Sequence, residues 1–422
     1  MAKTPKHVII IGGGIIGGFT AYYLLEKGWS VTVVDKDGFG QEASSGNCGL
    51  IVPNHILPLN SLGTMTKAFK WMLSKDSPLY IKPRLDTGLI KWFCQFAWHA
   101  RPKAILKSAR GRHALLQSSF KLYPEFIQAE NVACDWEMGG SLHIYRSARE
   151  WKDYRRTDAL LKPFGIQAES LDRKALLGFV PALGNGVSGG WLYRQTAHLR
   201  PERLLSELQR ILLGRWVQIL ENCPVQGFQQ DNGRAVSIVT KDQELFAEAF
   251  VLATGVWAPD FEKILGCRLP IQPGKGYSIT MDRPSTFPEI PCFFEEQSMV
   301  STPWPDTCRL GGTMEFSGFY THLNPQRLNA LTRGFDGYST QWQSNSRKEE
   351  WCGFRPMTMD GLPFIDHSPL LKNVIIAAGH NMIGLSTAPA TGKLVADIMD
   401  EAPPHIDPRP YRIDRNSQHL GN

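Results

Sequence analysis

Three short runs of apolar, mostly β-branched residues punctuate an otherwise mixed chain. They are Val8-Ile9-Ile10-Ile11 at the start, Phe250-Val251-Leu252-Ala253 in the middle and Val374-Ile375-Ile376-Ala377-Ala378 near the end. Apolar runs of this length ending at glycine-rich turns predict strands buried on both faces, as in a parallel sheet. The first passes into Gly12-Gly13-Gly14-Ile15-Ile16-Gly17-Gly18, then a helical stretch over Thr20–Lys27, then a second strand, Ser30–Val34, ending on Asp35. From about Leu269 to Ser346 the pattern changes to short alternating strands, such as Tyr277–Met281 and Arg309–Phe316, which predict an antiparallel sheet. Helices are expected over Glu150–Phe164, Pro201–Gly214 and Pro389–Met399. Strands are expected over Gly139–Tyr145, Trp216–Leu220 and Val225–Phe228, with a hairpin turn at Asp231-Asn232-Gly233-Arg234.

The order strand, glycine turn, helix, strand, acid is that of a dinucleotide site. Gly12 allows the tight turn, Gly14 lets a pyrophosphate approach the backbone, and Gly17 lets helix and strand pack closely. Free amides at the helix start, at Ile15 and Ile16, face the phosphates. Asp35 accepts hydrogen bonds from an adenosine ribose. Because similar strand–turn elements return in the middle and at the end, one nucleotide-binding domain is expected from three pieces, 1–55, 195–265 and 352–422. Residues 56–194 and 266–351 then form a second domain. The fold class is therefore α/β plus α+β, a discontinuous Rossmann-like domain with an inserted domain on a mostly antiparallel sheet.

Composition narrows this picture. With 42% hydrophobic and 20% charged residues the chain reads as soluble and globular, and two domains suit 422 residues. No apolar run approaches the ~20 residues that span a bilayer, and the N-terminal run enters the glycine turn rather than a signal-peptide pattern. Eight cysteines without Cys-x-x-Cys pairs or zinc spacing suggest reduced thiols in a cytoplasmic protein with no metal site. Charge is uneven. Between Lys67 and Arg112 eleven Lys or Arg face only Asp76 and Asp86, a net of +9, against +6 for the whole chain. The segment also carries Phe69, Trp71, Met72, Trp92, Phe93, Phe96 and Trp98. It reads either as a helical subdomain with solvated lysines or as a peripheral contact, through residues 67–112, with an anionic membrane surface. No nucleic-acid partner is expected.

Several blocks carry a family likeness. They are the glycine turn with Asp35, the loop Ala43-Ser44-Ser45-Gly46-Asn47-Cys48-Gly49-Leu50, the stretch Val251–Trp257, Pro273–Thr280, Gly312–Glu315, the block Gly353-Phe354-Arg355-Pro356-Met357-Thr358-Met359-Asp360-Gly361-Leu362-Pro363, and Ala378–Ser386 with Ala388–Gly392. Together they resemble the flavin amine-oxidoreductase family that includes D-amino-acid oxidase, glycine oxidase and sarcosine oxidase, and within it the D-amino-acid dehydrogenase small-subunit type. The likeness covers nearly the whole chain. Glycine oxidases carry an arginine where this chain has Met382, so charge does not hold a substrate there.

The resemblance implies FAD as cofactor. Its contacts would come from Gly12, Gly14, Ile15, Ile16, Gly17, Asp35, Lys36, Ser44, Ser45, Asn47, Gly49, Leu50, Val225, Thr254, Gly255, Trp257, Arg355, Gly379, His380, Met382, Ile383, Gly384 and Leu385. It also implies oxidative deamination of D-amino acids, or of cyclic imino acids such as D-hydroxyproline, by hydride transfer from Cα to flavin N5. Electrons would pass to a quinone or the respiratory chain at the inner face of the cytoplasmic membrane. Arg355 suits the substrate carboxylate, since a guanidinium fork binds it through two parallel hydrogen bonds. Tyr277 is a candidate to orient substrate and His380 to line the isoalloxazine, with His55 and His198 as further candidates. The helix beginning at Gly384 would stabilise negative charge near flavin N1–C2=O. An oxidase that makes peroxide and a non-catalytic flavin-binding subunit are the alternatives.

Overall fold

The computed structural model of the protein describes residues 6–60, 78–339, 341–342 and 346–415. Among these, twenty strands are numbered β1 to β20 along the chain. The three β-branched runs lie side by side. β1 (His7–Ile11) pairs in parallel with β13 (Ala249–Leu252) and with β2 (Ser30–Val34), and β13 pairs in parallel with β20 (Val374–Ala378). β9 (Gln218–Leu220) extends one edge in parallel and β19 (Phe364–His367) closes the other antiparallel, in the order β19-β20-β13-β1-β2-β9. Val8, Ile9 and Ile10 have no solvent exposure, as expected of a central strand covered on both faces.

Helix α1 (Ile15–Glu26) leaves the glycine turn and is the crossover that lets β1 and β2 run parallel. Four more long helices follow: α2 (Thr87–Trp98), α3 (Pro102–Glu130), α4 (Pro201–Gly214) and α5 (Gly384–Met399). α5 lies against α1 where Gly392 meets the Phe19 backbone, and a Cβ there would stand 2.5 Å from the Phe19 carbonyl carbon. The apolar pattern alone predicts a helix from Pro389, whereas the resemblance puts its start at Gly384, and Gly384 is where the helix starts. Proline lacks the amide that would bond the Leu385 carbonyl, and normally breaks a helix interior. Here α3 compensates. The Tyr123 hydroxyl donates to the Leu385 carbonyl at 2.6 Å, and the Ala390 amide donates to Ser119 Oγ at 3.0 Å. The predicted helix Glu150–Phe164 is likewise divided, into Ala148–Asp153, Arg155–Leu161 and a 3₁₀ turn at Lys162–Phe164.

A three-stranded sheet, β10 (Gly227–Asp231), β11 (Arg234–Val239) and β12 (Glu244–Phe246), contains the predicted hairpin, with Asn232 and Gly233 both left-handed. β3 (Leu50–Ile51) pairs with β8 (Ala197–His198). The second large sheet is mostly antiparallel. Its order is β18 (Arg347–Thr358), β14 (Ile271–Asp282), β17 (Thr307–Phe316), β16 (Met299–Pro303), β15 (Cys292–Phe294), β5 (Ser141–Tyr145), β7 (Gly189–Tyr193), β6 (Glu169–Asp172). β4 (Leu79–Ile81) adds to β17 in parallel, and β15 meets β5 in parallel.

Of the basic segment, residues 61–77, with Lys67, Phe69, Lys70, Trp71, Met72, Lys75 and Asp76, lie outside the described residues. The described part is not a uniformly solvated face. Trp92 of α2 is buried, with its indole N–H on the Pro270 carbonyl, while Leu85, Ile90 and Trp98 are exposed. Arg112 of α3 turns inward, donating to the carbonyls of Gly361 and His55, and burial draws its pKa down to about 10. Among the described residues no helix is long and apolar enough to cross a membrane.

Candidate functional site

A cavity of about 820 Å³ lies between the two large sheets, with walls drawn from the glycine turn, the 41–50 loop, the face of β14–β18, α2 and the start of α5. At one end the walls are backbone. Gly12 is left-handed (φ 108°), and a Cβ would stand 2.5 Å from the Ala253 carbonyl oxygen. At Gly17 a Cβ would stand 1.9 Å from the Gly12 carbonyl oxygen, so only glycine lets α1 close onto the turn. Gly14 differs. It lines the cavity, and the nearest atom to an added Cβ is Ser44 Oγ, 3.1 Å away. The Asp35 carboxylate accepts from the amides of Gly13 (2.6 Å) and Asp37 (2.8 Å), while burial raises its pKa against these bonds. Lys36 sits over the Trp257 ring, 4.1 Å from its centre, and Val225, Thr254 and Gly255 complete this end.

The 41–50 loop runs along the cavity and is pinned from both sides. Ser44 Oγ accepts from the Ile15 amide at 3.0 Å. Asn47 donates to the Ser44 carbonyl and accepts from the Gly49 amide. From the second sheet, buried Arg309 donates to the carbonyls of Ser45 and Asn47 and is balanced by Glu202 and Glu349. Ser386 Oγ, at the start of α5, donates to the Leu50 carbonyl and accepts from the Val52 amide. Cys48 faces the cavity with its thiol pushed up to about 11 by burial, so it is a protonated thiol.

At the other end the walls are side chains on the sheet. One row of partners crosses six strands: His143, Phe293, Val300, Gly311, Ser278 and Trp351, every one lining the cavity. Arg355 on β18 lies beside this row. Its guanidinium crosses Gly276, where a Cβ would stand 2.2 Å from Nη1, and Nη1 donates to the Thr313 carbonyl at 2.9 Å. Among the described residues no carboxylate pairs with it. Burial lowers its pKa, the Cys48 thiol opposing. Behind Arg355, Asn381 bridges Thr358 and Gly379. Buried Asp360 takes a two-point pair from Arg415 at 2.7 and 3.1 Å. α5 opens on the same space with Gly384, Leu385 and Ser386, whose amides precede the first intrahelical bond. Leu59, Leu79, Ile81, Trp92, Phe93 and Phe96 give an apolar wall nearby.

The cavity brings together most of the residues expected from the sequence, but Gly17, Ser45, Gly49, Gly379 and Ile383 stand behind its wall. Each has a structural reason. Gly17 and Gly49 would place a Cβ 1.9 Å from the carbonyl oxygens of Gly12 and Leu199, and Gly379 would place one 2.6 Å from Thr358 Cγ2. Ser45 presents its carbonyl to Arg309, and Ile383 packs into a core cluster with Ile56. The Tyr277 hydroxyl donates to Glu315 at 2.8 Å, although the residue lines the cavity. His380 is buried, its Nε2 pairs with Thr391 Oγ1, and burial draws its pKa to about 3, leaving a neutral ring. Met382 is half exposed at the rim. His198 is buried outside the cavity wall and bonds through its backbone to Glu137. Sequence reasoning did not anticipate Arg309, Gly276, His143, Glu295 or Phe293. Of these, Gly276 lay inside the Pro273–Thr280 block, and Arg309 and His143 lay in expected strands with no role attached.

Backbone amides and an acid at one end, and a cavity-facing arginine at the other, fit a dinucleotide-dependent oxidoreductase built on two sheets. The model of the DAO family, FAD dependent oxidoreductase, matches residues 7–398, and the chain belongs to that family. It is 30% identical over 425 residues to a D-amino acid dehydrogenase of Paramagnetospirillum magneticum, covering 98% of this chain and 99% of that one. It is 29% identical to a D-amino acid dehydrogenase of Bradyrhizobium diazoefficiens over 98% and 100%. The glycine oxidase structure from Geobacillus kaustophilus superposes with a TM-score of 0.78 at 20% identity, covering 97% of this chain and 99% of that one. FAD is thus the cofactor, and the site fits it. Gly14 leaves room beside the helix amides, and Thr254 Oγ1, in the cavity wall, is buried without a partner among the described residues. An orphaned hydroxyl of this kind is a ready partner for a bound group.

Proposed function

We propose that this protein oxidatively deaminates D-amino acids, with Arg355 holding the substrate carboxylate. The observation that carries this reading is the Arg355 guanidinium itself. It faces the cavity, is committed to one carbonyl, and has no carboxylate of the protein beside it among the described residues. A cation so placed costs several kcal/mol unless an anion arrives. The relatives named D-amino acid dehydrogenase support the same substrate class.

FAD, when bound, supplies the two-electron acceptor for the hydride leaving the substrate α-carbon. The residues of the chain do the rest. Arg355 fixes the carboxylate, Gly276 leaves room for the guanidinium to lie flat, and the Thr313 carbonyl sets its direction. The apolar wall of Trp92, Phe93 and Phe96 excludes water, which strengthens the charge pair. The imino acid released hydrolyses in water to a keto acid and ammonia.

The reading extends to a quinone or respiratory-chain acceptor reached at a membrane surface. What supports it is α2, whose inner side lines the cavity while Ile90 and Trp98 are exposed, Arg101 stacks on Trp98 and Lys91 lies on the same helix. The test is anaerobic titration of the purified flavoprotein with D-amino acids, followed by reoxidation with a quinone analogue or with oxygen. Bleaching by D-amino acids and fast reoxidation by quinone with little peroxide are expected. A flavin that no amino acid bleaches would refute the function. Rapid peroxide formation would replace the dehydrogenase with an oxidase.

A further inference from the structure

The cavity has a second polar corner that the reaction above does not use. His143 of β5 is 5% exposed, and its Nδ1 lies 2.6 Å from Glu295 Oε1. Its ring stacks on Phe293, with centres 4.4 Å apart and planes 8° apart, and the ring of His55 lies 5.1 Å from Phe293 and 6.0 Å from His143. His55, His143, Phe293 and Glu295 all line the cavity. This corner is held firmly. Arg112 grips the His55 carbonyl, and Tyr193 closes edge-on against His143.

The polarity of the corner follows from its bonds. A carboxylate only accepts, so Nδ1 of His143 carries the proton it gives to Glu295, with Nε2 on the other side of the ring. That Nε2 is buried without a hydrogen-bond partner among the described residues. Glu295 has no lysine or arginine beside it among the described residues, and only its Oε1 is engaged. Burial, with the neighbouring His143 and Arg112, draws the His55 pKa to about 3, so its ring is neutral and places no charge opposite Glu295. The corner therefore presents a carboxylate oxygen, Glu295 Oε2, that no group of the protein fills among the described residues. It also lies away from the arginine. β5 and β17, whose Thr313 receives Arg355, are separated by β15 and β16, three strand spacings or ~14 Å. Small residues, Gly311, Gly312 and Ser298, line the wall between.

We propose that His55, His143 and Glu295 form a side-chain subsite that selects substrates carrying a hydrogen-bond donor, an amino or hydroxyl group, at the end away from the α-carboxylate. Glu295 is the contact, and His143 positions it. The proposal rests on the reading of Arg355 as the carboxylate clamp. It names a substrate class narrower than D-amino acids at large: those with a donor-bearing side chain.

Two experiments test it separately from the reaction. The first is binding without turnover, read from the flavin spectrum of the holoenzyme, with pentanoate, 5-hydroxypentanoate and 5-aminopentanoate. The hydroxy and amino acids are expected to bind at least tenfold tighter than pentanoate, as a hydrogen bond to a charged acceptor provides. In Glu295→Gln the amino acid's advantage should collapse at least fivefold, and Glu295→Asp should restore part of it. The second compares kcat/KM for D-norvaline and D-ornithine, with the donor-bearing D-ornithine favoured. Equal binding of the three inert acids, or an advantage that survives in Glu295→Gln, would overturn the subsite whether or not any amino acid is oxidised. Tight, selective binding without oxidation would leave the subsite standing and remove the proposed function.

Discussion

The two ends of the cavity are built by opposite means. The end proposed for the nucleotide is backbone: a left-handed Gly12, a Gly17 that can bear no Cβ, the helix amides beyond Gly14, and an acid at the end of β2. The end proposed for the substrate is side chains standing on a sheet, with Arg355 over Gly276 and a row running from His143 to Trp351. A backbone site recognises what every dinucleotide shares, the phosphates. A side-chain site can be changed one residue at a time without disturbing the fold, so specificity belongs there.

The comparison makes separable predictions. The largest effect is expected at Arg355. Arg355→Met should lower kcat/KM for D-amino acids at least a thousandfold, corresponding to ~4 kcal/mol, with the FAD content unchanged. A variant that also lost FAD would break the division between the ends. Next comes the buried pair behind the arginine block. Asp360→Ala leaves the Arg415 cation unpaired and should destabilise the protein by ~3–5 kcal/mol in chemical denaturation. At the nucleotide end, Gly14→Ala should weaken FAD binding about a hundredfold or more, ~3 kcal/mol, while shifting the melting temperature of the apoprotein far less than Gly17→Ala, since its Cβ meets only Ser44 Oγ at 3.1 Å. Gly17→Ala should lower both, because its Cβ strikes the turn itself. Equal behaviour of the two variants would remove the distinction between approach and packing.

A smaller effect concerns pH. Burial pulls His380 to about 3 and His198 to about 4, below the 6.5 usual for histidine. Between those values the unfolded chain binds protons that the folded one does not. Stability is therefore complete above about pH 6.5 and falls as the pH drops, by about 2 kcal/mol per residue at pH 5. Denaturation midpoints at pH 7 and pH 5 should show the loss, and His380→Asn should recover part of the difference. Identical midpoints in the wild type would contradict the burial argument.

The same contrast explains what the sequence revealed. The glycine turn and the Gly353–Pro363 block could be read because backbone constraints leave local marks: a glycine where no Cβ fits, a proline beside a positioned arginine. The row from His143 to Trp351 could not, because its members come from six strands whose register is set by long-range pairing. Arg309 and Arg112 look like surface cations in the chain, and only folding shows that they tie the 41–50 loop and His55 in place. The apolar pattern alone starts α5 at Pro389, because the cost of that proline inside a helix is met by Tyr123 and Ser119, far away in sequence.

The most direct test is anaerobic reduction of the bound flavin, comparing D- and L-alanine on the wild type and on Arg355→Met. The account predicts a wild-type flavin bleached by the D isomer and not by the L, and an Arg355→Met protein that stays yellow at the same concentrations. Bleaching of Arg355→Met at the wild-type rate, or bleaching by the L isomer alone, would contradict it.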